Sequence, residues 1–140
     1  GSEGTLSLIT EATLRTAPLP RHSGVALLLF DRLEHAALAA LEIPALGASA
    51  CDLMDRRLLR LACESDVRYD LLLPEATEAL LLVEVQGDHP RQVREDLGRI
   101  VHVVKRPKRL AIDAKLALDP DDVELFWRLV RRVVPTLVRL

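Results

Sequence analysis

The chain predicts an α+β domain: a ferredoxin-like split β-α-β sandwich with its helices on one face of an antiparallel sheet. Three observations carry that expectation. From residue 25 the apolar pattern alternates four times between strand-like and helix-like stretches, which makes two sheet–helix–sheet units. Val25–Phe30 and Ala79–Val83 are unbroken apolar runs, and the first fits a strand buried on both faces. With 49% hydrophobic and 29% charged residues in 140, the chain is too apolar for disorder and long enough for one core, but too short for two full domains. A small parallel α/β domain is the alternative architecture.

The first element is an expected strand over Leu6–Arg15, where apolar and β-branched residues partly alternate. Pro18 and Pro20 stop it and make an extended linker, because each disfavours helix at the residue before it. A boundary therefore falls at residues 17–22. After the Val25–Phe30 strand, Asp31 is placed to cap a helix over Arg32–Glu42, with Leu33, Ala36, Ala37, Ala40 and Leu41 at helical spacing. Pro44 and Gly47 end it. Ala50–Met54 is a short strand, and Asp55 is placed to cap a helix that runs to about Cys63. Glu64–Glu78 is polar, contains Pro74 and reads as a loop with room for a helical turn.

Ala79–Gln86 is the clearest strand, its end alternating Val83 and Val85 with Glu84 and Gln86. Pro90 stands in the first turn of the next helix, where its missing N–H costs little. Val93, Leu97, Ile100, Val101 and Val104 share one face of it, and Pro107 breaks it. Arg109–Ala114 is expected as the last strand. Asp119-Pro120 then starts an amphipathic helix over Val123–Val134, kinked or ended by Pro135.

Composition excludes several functions. Nineteen basic and twenty-one acidic residues give a net charge of −2, so no one-sign field recruits nucleic acid or an anionic membrane. Aromatic residues are only 3%, too few for base-stacking platforms. Cys51 and Cys63 make neither a disulfide framework nor a zinc site and read as small core residues. His22, His35, His89 and His102 are scattered without metal-ligand spacing, so no metal site is expected. The apolar runs fall short of the roughly 18 residues that span a bilayer, and no signal-peptide pattern is present. A soluble, reducing compartment is the expectation.

Little in the residues alone points to chemistry. Asp52 and Asp55 read as an edge residue and a helix cap rather than a catalytic pair. The Arg56-Arg57 and Arg131-Arg132 doublets read as solvated faces, and Trp127 as a core or interface anchor. His89 has no nearby nucleophile. Ser2, Ser7, Ser23, Ser49 and Ser65 lack a G-x-S-x-G context, which argues against a hydrolase. Gly1-Ser2-Glu3-Gly4 is no phosphate loop, yet two glycines and a serine make a backbone that can approach a flavin or phosphate closely.

The run Gly1-Ser2-Glu3-Gly4-Thr5-Leu6-Ser7-Leu8-Ile9-Thr10-Glu11-Ala12-Thr13-Leu14 resembles the G-S-E-G-T-L-G-I-[IV]-T-E-A-T-L run of FAD-linked oxidases. The resemblance is to the vanillyl-alcohol-oxidase type, on its glycolate oxidase and D-lactate dehydrogenase branch. Asp52-Leu53-Met54-Asp55 resembles that family's E-L-[LM]-D motif, and Leu125-Phe126-Trp127 with Arg131 and Pro135 beyond resembles its L-W-x-[LI]-R segment. Ser7 replaces a glycine of the run, and Val130 stands where relatives often place an arginine that can hold a substrate carboxylate.

The resemblance implies a fragment. Residues 1–20 would close the FAD-binding domain and form a linker, and residues 21–140 would be the substrate-cap domain. The family's later histidine and metal-ligand motifs and its upstream glycine-rich half have no counterpart in the chain. The implied activity is oxidation of a 2-hydroxy acid of the glycolate or D-lactate type by a larger FAD enzyme, with a protein or quinone as electron acceptor. The implied cofactor contacts are Gly1, Ser2, Glu3, Gly4, Thr5, Leu6 and Ile9, and the implied substrate contact is Arg131. The chain alone would bind no FAD and be inactive. A cytoplasmic location is implied, with peripheral attachment at the inner membrane only through the parent enzyme. The alternative is a stand-alone α+β binding or dimerisation module without catalysis, acting as a homodimer through open sheet edges.

Overall fold

A computed structural model describes residues 4–6, 8–65 and 72–137, apart from the side chains of residues 65 and 132–137. The elements in order are β1 (His22–Phe30), α1 (Leu33–Glu42), a 3-10 turn (Ile43–Leu46), β2 (Ala50–Asp55), α2 (Arg56–Ser65), β3 (Ala79–Gly87), α3 (Pro90–Lys105), β4 (Asp113–Ala117) and α4 (Pro120–Leu137). The strands form one sheet in the order β2-β3-β1-β4, and every neighbouring pair is antiparallel. The unit β1-α1-β2 brackets β3, and the unit β3-α3-β4 brackets β1. This is the split β-α-β plan expected from the alternation of elements.

The helices lie on both faces of the sheet. On the first face Ala26, Leu28 and Phe30 of β1 and Leu81, Val83 and Val85 of β3 meet Ala36 and Ala39 of α1 and Val93, Leu97, Ile100 and Val104 of α3. On the second face Val25, Leu27, Leu29, Leu80 and Leu82 meet Leu59 and Ala62 of α2 and Phe126 and Leu129 of α4. The expectation of helices on one face holds for the crossover helices α1 and α3. It is corrected by α2 and α4, which make the sheet the middle of three layers. The unbroken apolar runs follow directly, since in β1 and β3 alternate residues feed opposite cores.

Three further expectations are corrected. No strand forms among the described residues of Leu6–Arg15; residues 8–20 have no regular structure, and Leu6, Leu8, Ile9 and Leu14 are exposed. β-branched residues favour a strand only where a neighbour supplies the ladder, and no strand of this sheet pairs with the segment. The last strand starts at Asp113 rather than Arg109, because residues 106–111 close the end of α3: Arg106 N donates to His102 O (2.9 Å), Leu110 N donates to Val104 O (3.0 Å), and Arg109 takes a positive φ of 50°. Asp31 does not cap α1. Arg32 occupies the N-cap without a side-chain bond, and the Asp31 carboxylate accepts from His35 Nδ1 (3.0 Å).

The other two caps form as expected. Asp119 Oδ1 accepts from Asp121 N (3.0 Å) at the start of α4, and that helix continues through Pro135 to Leu137. Asp55 Oδ1 accepts from Leu58 N (2.9 Å) at the start of α2. Asp55→Ala is expected to destabilise by about 1 kcal/mol in a urea melt, the usual cost of losing an N-cap.

At the β4 edge Lys105 Nζ donates to Asp113 Oδ1 (2.8 Å). That bond, a backbone bond from Ala114 and the lysine charge hold the Asp113 carboxyl below its ordinary 3.8. A lowered carboxylate pKa stabilises the fold above the ordinary value, and this is lost as pH falls through the folded-state pKa. Asp113→Asn is therefore expected to flatten the loss of stability below pH 3.8, read from denaturant midpoints across acid pH. Unchanged acid dependence would refute this role.

Candidate functional site

The described part of the N-terminal run has no regular structure and leads into β1 at His22. Gly1, Ser2, Glu3 and Ser7 lie outside the described residues. Gly4 adopts a φ of 82°, a left-handed conformation that favours glycine, and nothing lies within 4 Å of where a Cβ would stand. Leu6 and Ile9 point to solvent, at 85% and 78% exposure. The described part of the arm offers an open backbone strip against which a flat ring could lie. The described residues of the arm, exposed at Leu6, Leu8 and Ile9, do not by themselves form a flavin site.

The second implied contact lies on α4. This helix packs Phe126 and Leu129 into the second-face core, with Leu125, Trp127 and Val130 against its border. Arg131 is one residue beyond Val130, a rotation of about 100°, and it turns away to solvent. Its guanidinium lies 5.5 Å from the Trp127 ring centroid, a cation–π distance. Arg131 Nη1 also donates to Glu124 Oε2 (3.4 Å), and Arg128 Nε donates to Glu124 Oε1 (3.2 Å). Two guanidinium groups thus share one carboxylate on an exposed helix face, with Asp121 and Asp122 beside Arg128. The indole fixes the plane of one guanidinium. Such an arrangement can receive a small carboxylate from solvent.

The remaining candidates are not brought together. Asp52 is on the edge strand β2, opposite Leu82, while Asp55 is committed to its cap. Arg56 pairs with Glu78 across the start of β3. His89 is the N-cap residue of α3 without a side-chain cap bond, and His102 lies in that helix's last turn. His22 lines a cavity of about 460 Å³ with Pro90, Arg94 and Leu118, between the starts of β1 and α3.

Cys51 and Cys63 form no disulfide; Cys51 borders the first-face core and Cys63 the second. Burial, then the neighbouring Asp52 charge, pushes the Cys51 thiol up. Little thiolate forms at neutral pH, so alkylation of Cys51 is expected to run well below that of a small-molecule thiol in a timed mass-spectrometric assay. Thr77, 6% exposed with its hydroxyl buried and without a hydrogen-bond partner, was missed at the sequence level, where a lone threonine in a polar loop gives no signal.

Residues 19–140 match the family model described as "FAD linked oxidases, C-terminal domain". The chain belongs to the FAD-linked oxidase family. Within that family, the glycolate oxidase subunit GlcD of Escherichia coli K12 is 33% identical over 142 residues, covering 100% of this chain and 27% of the relative. The GlcD subunit of Bacillus subtilis is 28% identical over 146 residues, covering 100% of the chain and 29% of the relative. The mitochondrial D-lactate dehydrogenase [cytochrome] 1 of Saccharomyces cerevisiae is 38% identical over 74 residues, which is 50% of the chain and 13% of that protein. These relatives are enzymes by name, and the chain corresponds to under a third of each. Among the described residues no helix is long and apolar enough to cross a membrane.

Proposed function

We propose that this chain is most of the substrate-cap domain, residues 21–140, with the end of the FAD-binding domain and a linker, residues 1–20, of an FAD-dependent oxidoreductase. The substrate is a 2-hydroxy acid of the glycolate or D-lactate class. Electrons leave to a protein or quinone acceptor. The observation that carries this reading is the family match across residues 19–140, joined to relatives named for glycolate and D-lactate.

In this proposal the cap forms a wall of the substrate pocket, and the rest of the enzyme holds FAD. The backbone of Gly1, Ser2, Glu3, Gly4, Thr5, Leu6 and Ile9 lies against the cofactor, where the open strip at Gly4 allows close approach. Arg131 receives the substrate carboxylate, and Trp127 orients its guanidinium plane. The chain by itself contributes binding and shape and is inactive, because flavin supplies the redox chemistry in this class of enzyme. The parent is cytoplasmic or peripheral at the inner membrane.

The test begins with the native polypeptide, detected in its source with an antibody against this chain. The expected product is far heavier than 15.6 kDa. Purified, it is expected to show flavin absorbance that bleaches when glycolate or D-lactate is added without oxygen. The 140-residue chain alone is expected to show neither. A native band at 15.6 kDa, or flavin retained by the isolated chain, would overturn the proposal.

A further inference from the structure

We propose that the free edge of β4 pairs with β4 of a second copy of this chain, antiparallel about Ala114, so that two four-stranded sheets join into one. The inference is independent of the oxidoreductase reading and rests on the edge itself. β1 occupies one side of β4, and among the described residues no strand occupies the other. Ile112 and Leu116 are exposed there, at 39% and 47%. Unpaired backbone N–H and C=O groups beside exposed apolar side chains form a template for another strand.

The edge reads Ile112-Asp113-Ala114-Lys115-Leu116, which complements itself when reversed. Successive residues point to opposite sides, so Ile112, Ala114 and Leu116 share one side and Asp113 and Lys115 the other. Ala114 packs against the first-face core, which puts the apolar row on the side of α1 and α3. Residues directly opposite in an antiparallel pair point to the same side, so a two-fold axis at this seam passes through a residue position, never between two. About Ala114, Ile112 of one copy stands opposite Leu116 of the other, and Asp113 stands opposite Lys115. Moving the axis to Asp113 or to Lys115 sets two aspartates or two lysines face to face. Opposite charges directly across favour a strand pair and like charges disfavour it, so charge selects the Ala114 register.

Both charges are free to serve. Lys115 forms no ion pair among the described residues. Asp113 accepts from Lys105 Nζ and from the Ala114 backbone, and a carboxylate with about four lone-pair sites has room for a second cation. The sheet's other free edge lacks this property. β2 carries Asp52 and Asp55 and no cation, and Asp55 is committed to the cap of α2, so no register of β2 on itself matches an acid to a base.

Sedimentation equilibrium of the 140-residue chain is expected to show monomer and dimer in exchange. Lys115→Glu sets acid against acid across the seam, and Asp113→Lys sets base against base. Each is expected to weaken dimerisation at least about tenfold. Mixed in equal amounts, the two variants are expected to dimerise with each other, because every cross-copy pair then joins an acid to a base. A role confined to the fold of one copy would give no such recovery. A chain that stays monomeric at every concentration would overturn the proposal, as would a dimer that both variants leave intact or a mixture that recovers none. So would slow exchange of the β4 amides in the parent flavoenzyme as a monomer, which would mean that another strand of the same polypeptide fills the edge.

Discussion

Leu81→Ala is expected to lower the unfolding free energy by about 2–5 kcal/mol, against a total of roughly 5–15 kcal/mol for a domain of this kind. Leu81 is fully buried on the inner strand β3, with Leu28 of β1 and Leu53 of β2 directly opposite on either side. Its side chain belongs to the core that α1 and α3 cover, so truncation leaves a cavity that surrounding strands cannot close. Leu41→Ala is the matched control. It removes the same atoms from α1, but Leu41 is 80% exposed, and the expected change is within about 0.5 kcal/mol. Urea midpoints at constant slope make the comparison. Equal costs at the two positions would mean that the sheet is not the middle layer of the domain.

That middle position was written into the sequence more clearly than the fold class drawn from it. A run such as Val25–Phe30 has no polar alternate, so both faces of its strand must be covered. Helices on one face alone could not do that. The alternation of elements gave the split β-α-β connectivity, but connectivity leaves open where helices outside the two units pack. The α2 and α4 helices could be assigned to the second face only from contacts. Local capping was legible at Asp55 and Asp119, because an aspartate directly before a helix satisfies its free N–H groups in a few residues. It failed at Asp31, where His35 offers the carboxylate a rival partner one turn along.

The site divides in the same way. Residues 1–14 carry a recognisable string because its backbone pattern is local. Their structural role is not legible in the chain, since the strand expected at Leu6–Arg15 lacks a ladder partner here. Arg131 was visible as a charge, but its seat over Trp127 depends on the phase of α4. Thr77 carried no signal at all, because orphaned burial is a property of packing.

Gly24→Ala is expected to destabilise by about 1–3 kcal/mol, an overpacking cost with a clear geometric source. A Cβ on Gly24 would stand 2.8 Å from Leu118 Cδ2, 2.8 Å from Leu97 Cδ1 and 2.9 Å from Val93 Cγ1. Any one of these side chains could swing aside, but the Cβ would meet all three at once, and Val93 and Leu97 are buried in the α3 face. Alanine lowers the entropy of the unfolded chain, which offsets only about 0.4–1 kcal/mol. The clash account makes a sharper demand on the double variant. Leu97→Ala removes one of the three obstructing atoms, so Gly24→Ala is expected to cost less in that background, with a coupling of about 0.5–3 kcal/mol. Additive costs in the cycle would refute the clash. A measured coupling would show that Gly24 sets the close approach of α3 to β1, and with it the cavity wall formed by His22, Val93 and Leu118 at that end of the sheet.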